Sequence, residues 1–135
     1  MNFDKCPICS SELIIQRVAQ NYGRSFDSIR SLRCSKLNLV ENSQGYFVNL
    51  NCFYAFVDQN SNGNDTFLIE RELYLNGKII KITYGYPAHW PGPGSHDSIS
   101  VSHNSIPLEK EIAKELIFMP EEKLISKIPT ILTFS

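Results

Sequence analysis

The 135 residues are 42% hydrophobic and 20% charged, with seven glycines and seven prolines, a globular composition that excludes disorder and collagen-like repeats. Thirteen basic against fourteen acidic side chains leave a net charge of −1, which excludes a whole-molecule attraction to a phosphate backbone or an anionic membrane. A chain of this length buries roughly two-thirds of its unfolded surface, so residues 1–135 read as a single domain with two parts, 1–57 and 58–135.

Met1-Asn2-Phe3-Asp4-Lys5 meets the first cysteine before any apolar run could serve as a signal peptide. No later stretch approaches the roughly 18 uninterrupted apolar residues of a membrane span, so the expectation is a cytoplasmic protein without one. A reducing compartment disfavours stable disulfides and leaves metal binding or free thiols for the cysteines.

All four cysteines fall in the first 52 residues, and Cys6-Pro7-Ile8-Cys9 is a knuckle with thiols at i and i+3. After it, Glu12 to Ala19 and Ile29 to Cys34 read as strands, and Tyr46 to Val57 reads as one long strand. On that strand Val48, Leu50, Cys52, Tyr54 and Phe56 share a face. If it forms a hairpin with the second strand about Ser43, Cys34 and Cys52 stand opposite each other, near enough to share an ion.

That arrangement predicts a Zn2+ site of Cys6, Cys9, Cys34 and Cys52, since two thiolate pairs close a tetrahedron. Three cysteines completed by a histidine would be a variant of it. The plainer alternative makes Cys52 a small core residue, Cys34 incidental and the knuckle only a turn. A redox role would need a strand-then-helix context that the motif lacks.

Arg17, Arg24, Arg30, Arg33 and Lys36 stand against a lone Asp27 between Leu13 and Leu37, a patch able to contact nucleic acid or simply a solvated face. Asp58 to Asp65 reads as a polar connection, followed by a strand from Thr66 to Leu75, the turn Asn76-Gly77 and a partner strand from Lys78 to Tyr84. Closing that turn sets Leu73 opposite Ile80, Arg71 opposite Ile82 and Ile69 opposite Tyr84 on an apolar face. Glu72 opposite Lys81 and Glu70 opposite Thr83 then lie on a wet one.

Gly85 to Asp97 is a proline- and glycine-rich loop. Within or beside it Tyr86, His89 and Trp90 form a stiff aromatic group suited to a protein contact, and His89, His96 and Asp97 are candidates for acid–base chemistry. Ser98 to Ser102 reads as a short strand. Ser105 and Pro107 suit the start of a helix with Leu108, Ile112 and Leu116 on its buried stripe. Pro120-Glu121-Glu122 starts a second helix with Leu124, Ile125 and Ile128 buried, which Pro129 kinks or stops, leaving Thr130 to Phe134 as a docked tail.

The fold expected is α+β and mainly β: an antiparallel sheet with a zinc-ribbon-like N-terminal part and one or two C-terminal helices. Cys6-Pro7-Ile8-Cys9 with Ser10-Ser11-Glu12-Leu13, and the terminal Lys127-Ile128-Pro129-Thr130-Ile131-Leu132-Thr133-Phe134-Ser135, resemble the two ends of small uncharacterised proteins of tailed bacteriophages. In those proteins a second cysteine knuckle often follows, whereas Cys34 here precedes Ser35-Lys36-Leu37-Asn38. The resemblance implies a viral accessory protein that binds a host protein, and it implies no enzymatic activity.

Overall fold

The computed structural model describes residues 4–19, 28–36, 38–41, 44–59, 65–75, 77–85, 97–101 and 104–131. Their elements in chain order are β1 (Leu13–Ala19), β2 (Ser28–Cys34), β3 (Asn38–Glu41), β4 (Phe47–Leu50), β5 (Tyr54–Gln59), β6 (Asp65–Leu75), β7 (Lys78–Gly85), β8 (Ser98–Val101), β9 (Asn104–Pro107), α1 (Lys110–Phe118) and α2 (Glu121–Ile131). Seven strands form one antiparallel sheet in the order β1-β2-β5-β6-β7-β8-β9, and β3 pairs with β4 as a separate two-stranded ribbon. The fold is thus mainly antiparallel sheet with two C-terminal helices, as its sequence predicts.

The β6–β7 hairpin keeps the predicted register, with Leu73 beside Ile80, Arg71 beside Ile82 and Ile69 beside Tyr84. Gly77 carries φ +77, the left-handed conformation that a tight turn requires and glycine adopts freely. Strand alternation places Ile69, Leu73, Ile80, Ile82 and Tyr84 in the core. The neighbouring strands extend this layer, since Ala55 pairs with Ile69 and Ile82 pairs with Ile99. Onto the face pack Ala113, Leu116 and Ile117 of α1 and Leu124 and Ile128 of α2, all fully buried. Each large aliphatic among them contributes about 1.5–3 kcal/mol by leaving water.

The long strand expected from Tyr46 to Val57 is broken at residues 51–53, and its halves lie in different sheets. The cause is local: Cys52 and Phe53 are consecutive and both buried, at 8% and 0% exposure. Two successive buried side chains depart from strand alternation, and here, unlike at Leu68 and Ile69 of the unbroken β6, the chain leaves the pleat. The hairpin expected about Ser43 is corrected as well. β3 pairs Asn38 with Leu50, β2 pairs Arg33 with Tyr54, and the Cys34 N–H donates to Phe53 O at 3.0 Å, so Cys34 faces Phe53 and not Cys52.

Three expectations at the C-terminal end also change. Ser105 and Pro107 belong to β9, and α1 starts only at Lys110, after a Glu109 that makes no side-chain cap bond. The donorless Pro107 is tolerated because β9 is the last strand of the sheet. Ile125 is 39% exposed, since the arc of α2 that meets the sheet reaches only Leu124 and Ile128. Pro129 neither stops α2 nor frees a tail at Thr130, because it sits in the last turn and the helix continues to Ile131. Residues 132–134 of the expected tail lie outside the described residues.

Candidate metal centre

The knuckle is a closed turn. Cys6 N–H donates to Ser11 O at 2.8 Å, Ser10 N–H donates to Cys6 O at 2.9 Å, and Lys5 bridges to Glu12 as the chain enters β1. Ser10 accepts a left-handed φ of +64 to make the reversal. Two further bonds fix the turn relative to the remaining cysteines. Ser35 N–H donates to Glu12 O at 3.0 Å at the end of β2, and Glu72 N–H donates to Asn51 O at 3.0 Å beside Cys52.

These constraints bring four sulfurs from three separate stretches together. The Sγ atoms of Cys6, Cys9, Cys34 and Cys52 all lie within 4.8 Å of one another. Cys9 and Cys34 approach to 3.4 Å, and Cys6 and Cys52 to 3.7 Å. A tetrahedral zinc with bonds of about 2.3 Å needs sulfur–sulfur edges of about 3.8 Å, so the spacing fits a metal held by thiolates alone. Cys6, Cys34 and Cys52 are buried and Cys9 is half-buried. A cleft of about 280 Å³ lies against Cys9 and Cys52, walled by Val40 and Leu50 of the ribbon and Glu72 of β6.

The polar surroundings already favour anionic sulfur on one side. Burial works to raise the Cys9 thiol, but hydrogen bonding to the Ser11 hydroxyl and backbone, and to Cys34 and Cys6, outweighs it and brings the pKa down to about 6. Cys34 is pushed up to about 11 by burial, against the Lys36 N–H that donates to its sulfur at 3.4 Å. Burial pushes Cys52 up too, helped by the neighbouring sulfur of Cys6. A divalent ion reverses this resistance, because coordination replaces the proton on each sulfur. Ser11 and the Lys36 amide are positioning groups that spacing alone did not reveal, although Ser11 sits just past the knuckle, where a second donor is useful.

The other candidate residues fare differently. Asp97 is buried, its Oδ1 accepts the Gly85 N–H at 2.8 Å and its carbonyl accepts the Leu108 N–H at 2.9 Å, so it ties β7 to the segment that returns to the sheet. Tyr86, His89, Trp90 and His96 lie outside the described residues, as does Arg24. Arg33 and Lys36 are exposed, and Arg17 and Arg30 are partners in the β1–β2 register. Sequence reasoning missed the ribbon, whose outer surface carries Leu39, Tyr46 and Phe47 at 61%, 69% and 72% exposure.

No helix among the described residues is long and apolar enough to cross a membrane. Comparison with models of known protein families, with characterised proteins and with solved structures finds no match to this chain.

Proposed function

We propose that this chain is a non-enzymatic binding protein built around one structural zinc ion and acting on a protein partner. The observation that carries the reading is the closed set of four sulfurs within 4.8 Å. Four thiolates fill a tetrahedral zinc and leave no position for a substrate or a reactive water. Zinc suits a buried all-sulfur site better than the oxygen-seeking magnesium or calcium.

The metal also has an evident mechanical task. Cys34 ends β2, four positions before Asn38 opens the ribbon, and Cys52 stands two positions after Leu50 closes it, so one ion would pin both ends of β3–β4. An arm anchored in this way holds Leu39, Tyr46 and Phe47 toward solvent, and exposed aromatic residues are the usual anchors of protein contacts. The likeness of the two chain ends to tailed-bacteriophage proteins supports a host protein as that partner, met in the reducing cytoplasm where thiolates persist.

Metal analysis of protein purified without added zinc, with a thiol count on the native chain, tests the first half. One zinc per chain and no reactive thiol is expected; metal-free protein with four titratable thiols would refute it. Affinity capture with Tyr46→Ala and Phe47→Ala together, against Phe118→Ala as control, tests the second. The double variant should lose a partner that wild type and control retain, with zinc content unchanged.

A further inference from the structure

Arg71 occupies a place where a cation is costly. It is 2% exposed and lies in a row with Ile82 and Ile99 on the apolar face of the sheet, beneath the helices. Its Nη1 donates to the carbonyls of Leu116 at 3.2 Å, Ile117 at 3.1 Å and Met119 at 2.5 Å. These carbonyls lie at the negative end of the α1 dipole, where Leu116 O also accepts the capping Met119 N–H at 3.4 Å. They solvate the guanidinium but carry no net charge. Among the described residues no carboxylate bonds to it.

The anionic chemistry lies on the other side. The β5–β6 ladder ends at Tyr54 and Glu70, and the chain beyond it, Phe53 and then Cys52, runs alongside the β6 segment that holds Arg71. The bond from Glu72 N–H to Asn51 O fastens the two segments together there. Burial pulls the guanidinium below its ordinary value, while Cys52, Glu121 and Cys6 act in the opposite sense. Four thiolates around a divalent ion carry two net negative charges, and a buried monovalent cation beside them offsets half.

We propose that Arg71 is the buried counter-charge of the metal centre, a positioning residue that sets its affinity for zinc and ties metal loading to the seating of α1 and α2. The proposal rests on the reading of the four cysteines as zinc ligands. Metal binding adds negative charge to what Glu121 supplies, and the guanidinium in turn holds the carbonyls at the end of α1. Loss of the ion leaves the buried cation with Glu121 as its acidic neighbour, so the change spreads to the helices.

The test is zinc affinity by chelator competition for full-length wild type, Arg71→Met and Arg71→Lys, combined with hydrogen exchange of the wild type with and without zinc. Arg71→Met should bind zinc about 10- to 100-fold more weakly. Arg71→Lys, which keeps the charge but not the reach to three carbonyls, should lose less. Removing zinc from wild type should speed exchange at residues 116–119 more than in the β6–β7 hairpin. Wild-type affinity in Arg71→Met, or equal losses in Met and Lys variants, overturns the proposal. If Arg71→Met does not fold, the exchange measurement decides, and an unchanged rate at 116–119 overturns it. A wild-type chain that holds no zinc removes the proposal together with the reading beneath it, whereas zinc held with unaltered affinity by the variants removes the proposal alone.

Discussion

The backbone N–H of Glu72 donates to the carbonyl of Asn51 at 3.0 Å, and Asn51 Nδ2 donates back to Glu72 Oε1 at 3.3 Å. Two bonds running in opposite directions fasten the middle of the best-defined hairpin to the link that carries Cys52. Through that link the sheet core and the cysteine cluster become one rigid object.

Cys52→Ser should therefore do more than remove a ligand. The hydroxyl would sit in a site only 8% exposed, beside sulfurs, without the metal bond that holds the chain. We expect zinc below one per chain and a stability loss of about 2 kcal/mol or more in denaturant unfolding. Cys9→Ser, at a half-buried position, should cost less. With EDTA present the gap between wild type and Cys52→Ser should narrow, and a gap that stays constant would contradict the assignment.

Gly85 ends β7 with φ +101, and a Cβ built there would lie 2.1 Å from the Phe67 carbonyl oxygen. No side chain can shift to relieve a clash with backbone. Gly85→Ala should lower stability by about 2–4 kcal/mol, measured by urea unfolding. A loss within about 0.5 kcal/mol of wild type would show that the close β6–β7 contact is not held in solution.

Glu72 gives a pH signature. Burial is the largest influence on its carboxyl and raises the pKa above 4.5, against Lys81 and Asn51, while Lys81 itself bonds Glu70 at 3.1 Å. A folded pKa above the unfolded one means that the protonated carboxyl is favoured on folding. Its contribution is fully present below the unfolded pKa and is lost as pH rises through the folded value. Glu72→Gln mimics the protonated group, so it should match wild type near pH 4 and be more stable at pH 7 in parallel melts. A variant less stable at pH 7 would contradict this.

Metal removal followed by peroxide should reveal which sulfurs are neighbours. Each pair of thiols gives up two electrons and two protons, and the peroxide leaves as two waters. The spacing predicts Cys9–Cys34 and Cys6–Cys52 bridges, at 3.4 Å and 3.7 Å before reaction, with Cys9 attacked first through the cleft. Peptide mapping under non-reducing conditions reads the result. A dominant Cys6–Cys9 bridge would mean that the cluster opens once the metal is gone.

The β6–β7 hairpin was legible to the residue because two independent signals agreed: Asn76-Gly77 chose the turn, and the alternation chose the same register. The four cysteines that cluster were legible from residue type, but the geometry offered for them was not the one found. An inferred opposition of Cys34 and Cys52 led to the right cluster, whereas the sulfurs meet because Cys34 faces Phe53 and the chain breaks at residues 51–53. The break depends on what each of two adjacent buried side chains packs against, a tertiary fact that alternation cannot express. Ser105 and Pro107 misled for another reason, since a helix start and the rim of an edge strand want the same residues. Arg71 was visible as an arginine on an apolar face, yet its partners at Leu116, Ile117 and Met119 are more than forty positions away.

X-ray absorption at the zinc edge, on full-length protein purified without added metal, tests the central claim most directly. Four sulfur neighbours at about 2.3 Å and no nitrogen or oxygen in the first coordination sphere are predicted. A nitrogen or oxygen neighbour at about 2.0 Å, or protein that carries no zinc to measure, would contradict it.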